Sequence, residues 1–64
     1  MPLVHISHAQ TFDDSRNSEI IAAVSEAYAS SSGSELSKVW VIIEAVPRTA
    51  WGVGGKPLAV QQDR

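Results

Sequence analysis

The chain offers few side chains for chemistry: two histidines, seven carboxylates, five basic residues and no cysteine among 64 residues. Without cysteine, disulfides and thiolate metal sites are excluded. His5 and His8 lie in the stretch LVHISH. In a strand, that offset points them to opposite faces, so they cannot hold one metal ion together and read as surface or interface imidazoles. The segment GVGGKP has the look of a phosphate loop, but Pro57 rather than Ser or Thr follows Lys56, and Ala50 stands where the first glycine belongs. A hairpin accounts for it better. The serines lack a base and an orienting partner for a nucleophilic triad. Asp13 and Asp14 read as helix-capping or solvated charges.

What remains is Pro2. A small residue such as proline after methionine favours trimming of Met1, and trimming would expose a secondary amine. A free α-amine titrates at about 7.7–8.0, and an apolar pocket lowers that value by disfavouring the charged form. Such a nitrogen is neutral near pH 7 and able to accept a proton from carbon. If Met1 stays, the same nitrogen is an amide and has no such capacity.

A strand, a helix and a second strand must position this proline. LVHISH predicts the first strand, with Leu3, His5 and Ser7 on one face and Val4, Ile6 and His8 on the other. From Ser15 to Ser31, the positions Ile20, Ile21, Val24, Ala27 and Tyr28 form a helical stripe. Asp13 or Asp14 caps its start and Gly33 its end. KVWVIIEAV is the strongest strand signal, apolar on both faces and stopped by Pro47. WGVGGKPL reads as a tight hairpin, and residues 58–64 as a flexible or partner-held tail. The expected fold is α/β: a single β-α-β unit with parallel strands and a C-terminal β-hairpin, forming one domain over residues 1–64.

Such a unit cannot close a core. A chain of this length buries only about 60% of its unfolded surface, and small domains normally lean on disulfides, metals or other chains. Here the apolar fraction is 44% with two tryptophans, so the expectation is a sheet completed by oligomerisation. The net charge of −2 gives no footprint for nucleic acid. No apolar run approaches the roughly 20 residues that span a bilayer, and no basic-then-apolar leader precedes Leu3. A cytoplasmic protein is expected.

MPLVHIS, a central amphipathic helix, VWVIIEAVP and WGVGG occur here in an order and spacing that resemble the 4-oxalocrotonate tautomerase family. The likeness runs from residue 1 to about residue 58 and needs no gap. It implies a cofactor-independent keto–enol tautomerase, an isomerase acting on a small 2-oxo acid, with an amino-terminal proline as general base and acid. It also implies dimers sharing a four-stranded sheet and usually a hexamer of them. By the same resemblance Pro2 matches the catalytic proline, Trp51 a pocket-lining aromatic position, and Gly52, Gly54 and Gly55 the hairpin glycines.

Two positions depart from the family pattern. Phe12 and Trp40 stand where well-studied tautomerases carry arginines that bind the substrate's carboxylate and carbonyl. Their loss removes the bidentate anion clamps that a dicarboxylate needs. The candidate pocket is therefore lined by Trp51, Trp40 and Phe12, with Arg16 and Arg48 as replacement cations and Lys38 and Lys56 behind them. Two alternatives stay open: a non-catalytic structural subunit, and one half of a hetero-oligomer whose partner supplies the arginines. Hydration chemistry would need Glu44 to activate water.

Overall fold

The computed structural model describes residues 1–61. Strand β1 (Leu3–His8) leads into helix α1 (Asp14–Ser32), which returns the chain to strand β2 (Trp40–Ala45). A short hairpin of β3 (Gly52–Val53) and β4 (Lys56–Pro57) follows, then the helical turn α2 (Leu58–Gln61). β1 and β2 pair in parallel from Leu3 opposite Trp40 to His8 opposite Ala45. This is the expected β-α-β unit with its C-terminal hairpin.

Local chemistry accounts for the helix ends. The Asp13 side chain accepts the Arg16 backbone N–H at 2.8 Å, satisfying one of the donors a helix start leaves unpaired. At the other end Gly33 adopts φ 81° and its N–H reaches the Ala29 carbonyl at 3.0 Å. A β-carbon disfavours that left-handed conformation, which is why glycine stands there. The hairpin turns on Gly54 and Gly55, both with positive φ, in a two-residue loop that matches the twist of paired strands.

Three boundaries differ from the sequence reading. The helix gains one residue at each end. β2 begins at Trp40 rather than Lys38, because Leu36–Lys38 form a short 3₁₀ turn. Residues 58–64 read as a flexible or partner-held tail, yet Leu58–Gln61 form the turn α2, whose first N–H bonds the Trp51 carbonyl at 2.8 Å. The tail residues 62–64 lie outside the described residues.

The helix covers one sheet face, where Val4, Ile6, His8, Val41 and Ile43 are half-buried. Along α1, Asn17, Ile20, Val24, Ser25 and Ala29 are the less exposed positions, while Ile21, Ala27 and Tyr28 of the predicted stripe are exposed. The opposite sheet face is open. Leu3 and Trp40 are 54% exposed and Ile42 46%, so the two-sided cover expected for β2 is absent within one chain. No hydrophobic residue among those described is fully buried; the one buried side chain is Ser25. The radius of gyration is 14.9 Å, against about 11 Å for a compact domain of this length. The chain has the shape of a subunit, not of a self-sufficient globule.

Candidate active site

Pro2 sits at the amino end of the sheet. Its carbonyl accepts the Trp40 backbone N–H at 3.0 Å, extending the parallel ladder by one bond beyond Leu3. The proline is half-buried and the preceding Met1 is 81% exposed. Trp40 is thus brought beside Pro2, with its side chain largely exposed.

The remaining candidates gather beyond the other end of the strands. His8, the last residue of β1, has its ring centroid 5.0 Å from that of Phe12. The Arg16 guanidinium lies 5.8 Å from the Phe12 ring centroid, within cation–π range. Arg16 is otherwise exposed and stands 3.7 Å from Glu19, one helical turn on. Arg48 follows β2, is half-buried, and donates from Nη1 to the Ala9 carbonyl at 3.2 Å, tying the two loops that leave the sheet. Its Nε is buried and has no hydrogen-bond partner among the described residues. Trp51, three residues further, is half-buried at the entrance to the hairpin.

A strand rises about 3.3 Å per residue, which puts His8, and Phe12 beside it, roughly 20 Å from Pro2. One chain therefore joins Pro2 to Trp40 and joins Phe12 to His8 and Arg16, but does not join these two groups. A pocket containing both Pro2 and Phe12 needs a second chain.

Between the loops lies a cleft of about 670 Å³, walled by Ala9, Gln10 and Thr11 after β1 and by Val46, Pro47 and Arg48 after β2. His8 precedes the first of these loops. Its Nδ1 accepts the Gln10 N–H at 3.2 Å, so in the neutral ring the hydrogen resides on Nε2, which is buried and has no partner among the described residues. On the open sheet face His5 Nε2 and Glu44 Oε1 are 3.1 Å apart. That contact occupies the carboxylate considered for water activation. Among the described residues no group of three or more histidine or acidic side chains could hold a metal ion.

The sequence did not reveal the His8–Phe12 contact, the His5–Glu44 pair or the Arg48–Ala9 clamp. Only the offset of the two histidines onto opposite faces was readable, and the structure has it.

Fold and site together define a small β-α-β subunit with its candidate residues split between the two ends of a parallel strand pair. The family model for tautomerase enzymes matches residues 2–61, and the chain belongs to this family. Among solved structures, a heterohexamer 4-oxalocrotonate tautomerase from Chloroflexus aurantiacus is 33% identical, with both chains covered in full and a TM-score of 0.86. An apo unfused 4-OT is 30% identical over 94% of this chain and 98% of its own, also at 0.86. TomN, a 4-oxalocrotonate tautomerase homologue of the tomaymycin biosynthetic pathway, shares the fold at a TM-score of 0.91 with 24% identity, over 98% of this chain and 97% of its own. No curated protein matches the chain.

Proposed function

We propose that this protein is a cofactor-independent keto–enol tautomerase of a small 2-oxo acid, with Pro2 as general base and acid once Met1 is removed. Family membership supports the reaction class. The observation that carries the site is the separation of Pro2 from Phe12 along β1, which makes the pocket a product of assembly.

In the keto-to-enol direction the neutral proline nitrogen takes a proton from the carbon beside the carbonyl. The C–H electron pair becomes the C=C bond, and the carbonyl oxygen accepts the charge. The protonated ring then returns a proton to that oxygen, leaving the nitrogen neutral. The ladder bond from Trp40 holds Pro2 in place for both transfers. Trp40, Phe12 and Trp51 supply apolar ring surface that keeps water from the amine, and Arg16 and Arg48 supply cations.

The assembly is a homo-oligomer, a dimer at least and a hexamer by likeness to the family, with the open faces carrying Leu3, Trp40 and Ile42 covered by further copies. Among the described residues no helix is long and apolar enough to cross a membrane. A cytoplasmic setting is part of the same proposal.

The test is direct. Intact mass establishes whether Met1 is absent, and the protein with a free Pro2 nitrogen is assayed on phenylenolpyruvate beside protein whose nitrogen is blocked. Ketonisation only by the free-nitrogen form is expected. Equal rates from both forms exclude proline catalysis and leave a structural subunit.

A further inference from the structure

We propose that the cleft beyond the carboxyl ends of β1 and β2 binds a small organic monocarboxylate, with Arg48 as its counter-ion. This deepens the proposed function, because the carboxylate would be that of the 2-oxo acid presented to Pro2 of another chain. The anion site itself belongs to one chain and stands without Pro2.

Position and size come first. The cleft lies beyond the carboxyl ends of β1 and β2, between the loops that Arg48 and the Ala9 carbonyl tie together. Its volume of about 670 Å³ falls inside the roughly 300–1,000 Å³ typical of small-molecule pockets.

Charge comes second. Among the described residues, Arg48 is the one charged residue on the cleft wall, and none of the others there is a carboxylate. Among the described residues it makes no ion pair. Arg16, by contrast, is solvated and stands near Glu19. The Ala9 carbonyl engages one Arg48 N–H at 3.2 Å, and among the described residues the buried Nε has no acceptor. Arg48 is half-buried, and its positive charge is left for a carboxylate from outside the described residues to pair with. Its flat fork of N–H groups matches the two oxygens of a carboxylate.

The same surroundings favour a monoanion. A phosphate or dicarboxylate needs a second positive group. The start of α1, at Asp14, is already occupied by the Asp13 carboxylate, which repels added negative charge. Ala9, Ala45, Val46 and Pro47 give the wall an apolar part for a hydrocarbon or aryl body, and Gln10 and Thr11 add neutral polar groups.

The experiment compares the assembled protein with Arg48→Gln and Arg48→Lys on phenylenolpyruvate and on its uncharged methyl ester. Glutamine keeps a donor for the Ala9 carbonyl, and lysine keeps the charge if the glutamine variant fails to fold. Arg48→Gln is expected to raise KM for the acid at least tenfold while KM for the ester stays within about twofold; Arg48→Lys falls between. Parallel changes for acid and ester, or no change, overturn the proposal and leave Arg48 a structural clamp. Benzoate titration, followed through the Arg48 Nε–H resonance, covers the case in which the unchanged protein turns over neither compound. A saturable shift in the unchanged protein, absent with methyl benzoate, supports the site although the proposed function has then failed. A resonance indifferent to benzoate overturns it, whether a partner chain's carboxylate fills the cleft or nothing does.

Discussion

The Pro2 carbonyl accepts the Trp40 N–H at 3.0 Å, so the first ladder bond between the two strands belongs to the residue proposed to move protons. Because β2 pins its carbonyl, loss of Met1 changes the chemistry of the Pro2 nitrogen without releasing the residue from the sheet. Acylating that nitrogen is expected to abolish tautomerisation while leaving oligomer size, read by light scattering, unchanged. Pro2→Ala is a weaker control, since it leaves a primary amine that retains part of the rate.

The pH profile follows from the same nitrogen. It is a base only when unprotonated, and apolar surroundings disfavour the protonated form. Activity therefore rises with pH through the amine's titration and then levels. Phe12 and Trp40 carry no charge of their own, and the Arg16 guanidinium beside the Phe12 ring is exposed and near Glu19, so this limb is expected at higher pH than in a relative with arginines at both positions. A difference of one unit, about 1.4 kcal/mol of protonation free energy, is resolvable in kcat/KM against pH. A limb at lower pH than the relative's would show that a cation from another element lies against the nitrogen.

Substrate choice tests the aromatic positions. The protein is expected to favour phenylenolpyruvate over a dicarboxylate dienol in kcat/KM. Phe12→Arg and Trp40→Arg together should move that ratio toward the diacid by tenfold or more, since each new charge-assisted pair contributes about 1.5–3 kcal/mol before desolvation is counted. Preference for the diacid in the unchanged protein would contradict an aromatic pocket.

Assembly depends on the open sheet face. Ile42 is 46% exposed beside Leu3 and Trp40, and a carboxylate placed there resists burial against another chain. Ile42→Glu is expected to shift the light-scattering mass at micromolar concentration toward the monomer and to lose helical signal with it. An unchanged oligomer would mean that copies meet through the helix side instead, where Ile21 and Tyr28 are exposed.

The cap at Asp13 gives a local test. Asp13→Ala removes the 2.8 Å bond to the Arg16 N–H and is expected to cost about 1 kcal/mol in urea unfolding at fixed protein concentration. Asp14→Ala loses only a dipole interaction, of about 0.3–1 kcal/mol, and should cost less. The reverse order would place the helix start at Asp14.

Sequence alone determined the elements, because their signals are short-range. Alternation in LVHISH, Asp13 ahead of a helical stripe, glycine at position 33 and the Gly54–Gly55 pair each act within a few residues. Each produced the expected strand, cap or turn. The family pattern likewise resides in order and spacing. Tertiary structure alone decided the rest. The helix returns β2 in one register, Leu3 opposite Trp40, and this puts Trp40 beside Pro2 while leaving Phe12 with His8 at the far end. The Arg48–Ala9 clamp and the His5–Glu44 pair each join residues 39 apart. No local rule encodes such contacts: they arise when the crossover folds back, and the pocket proposed at Pro2 is finished only when a second chain brings the other end of a sheet to it.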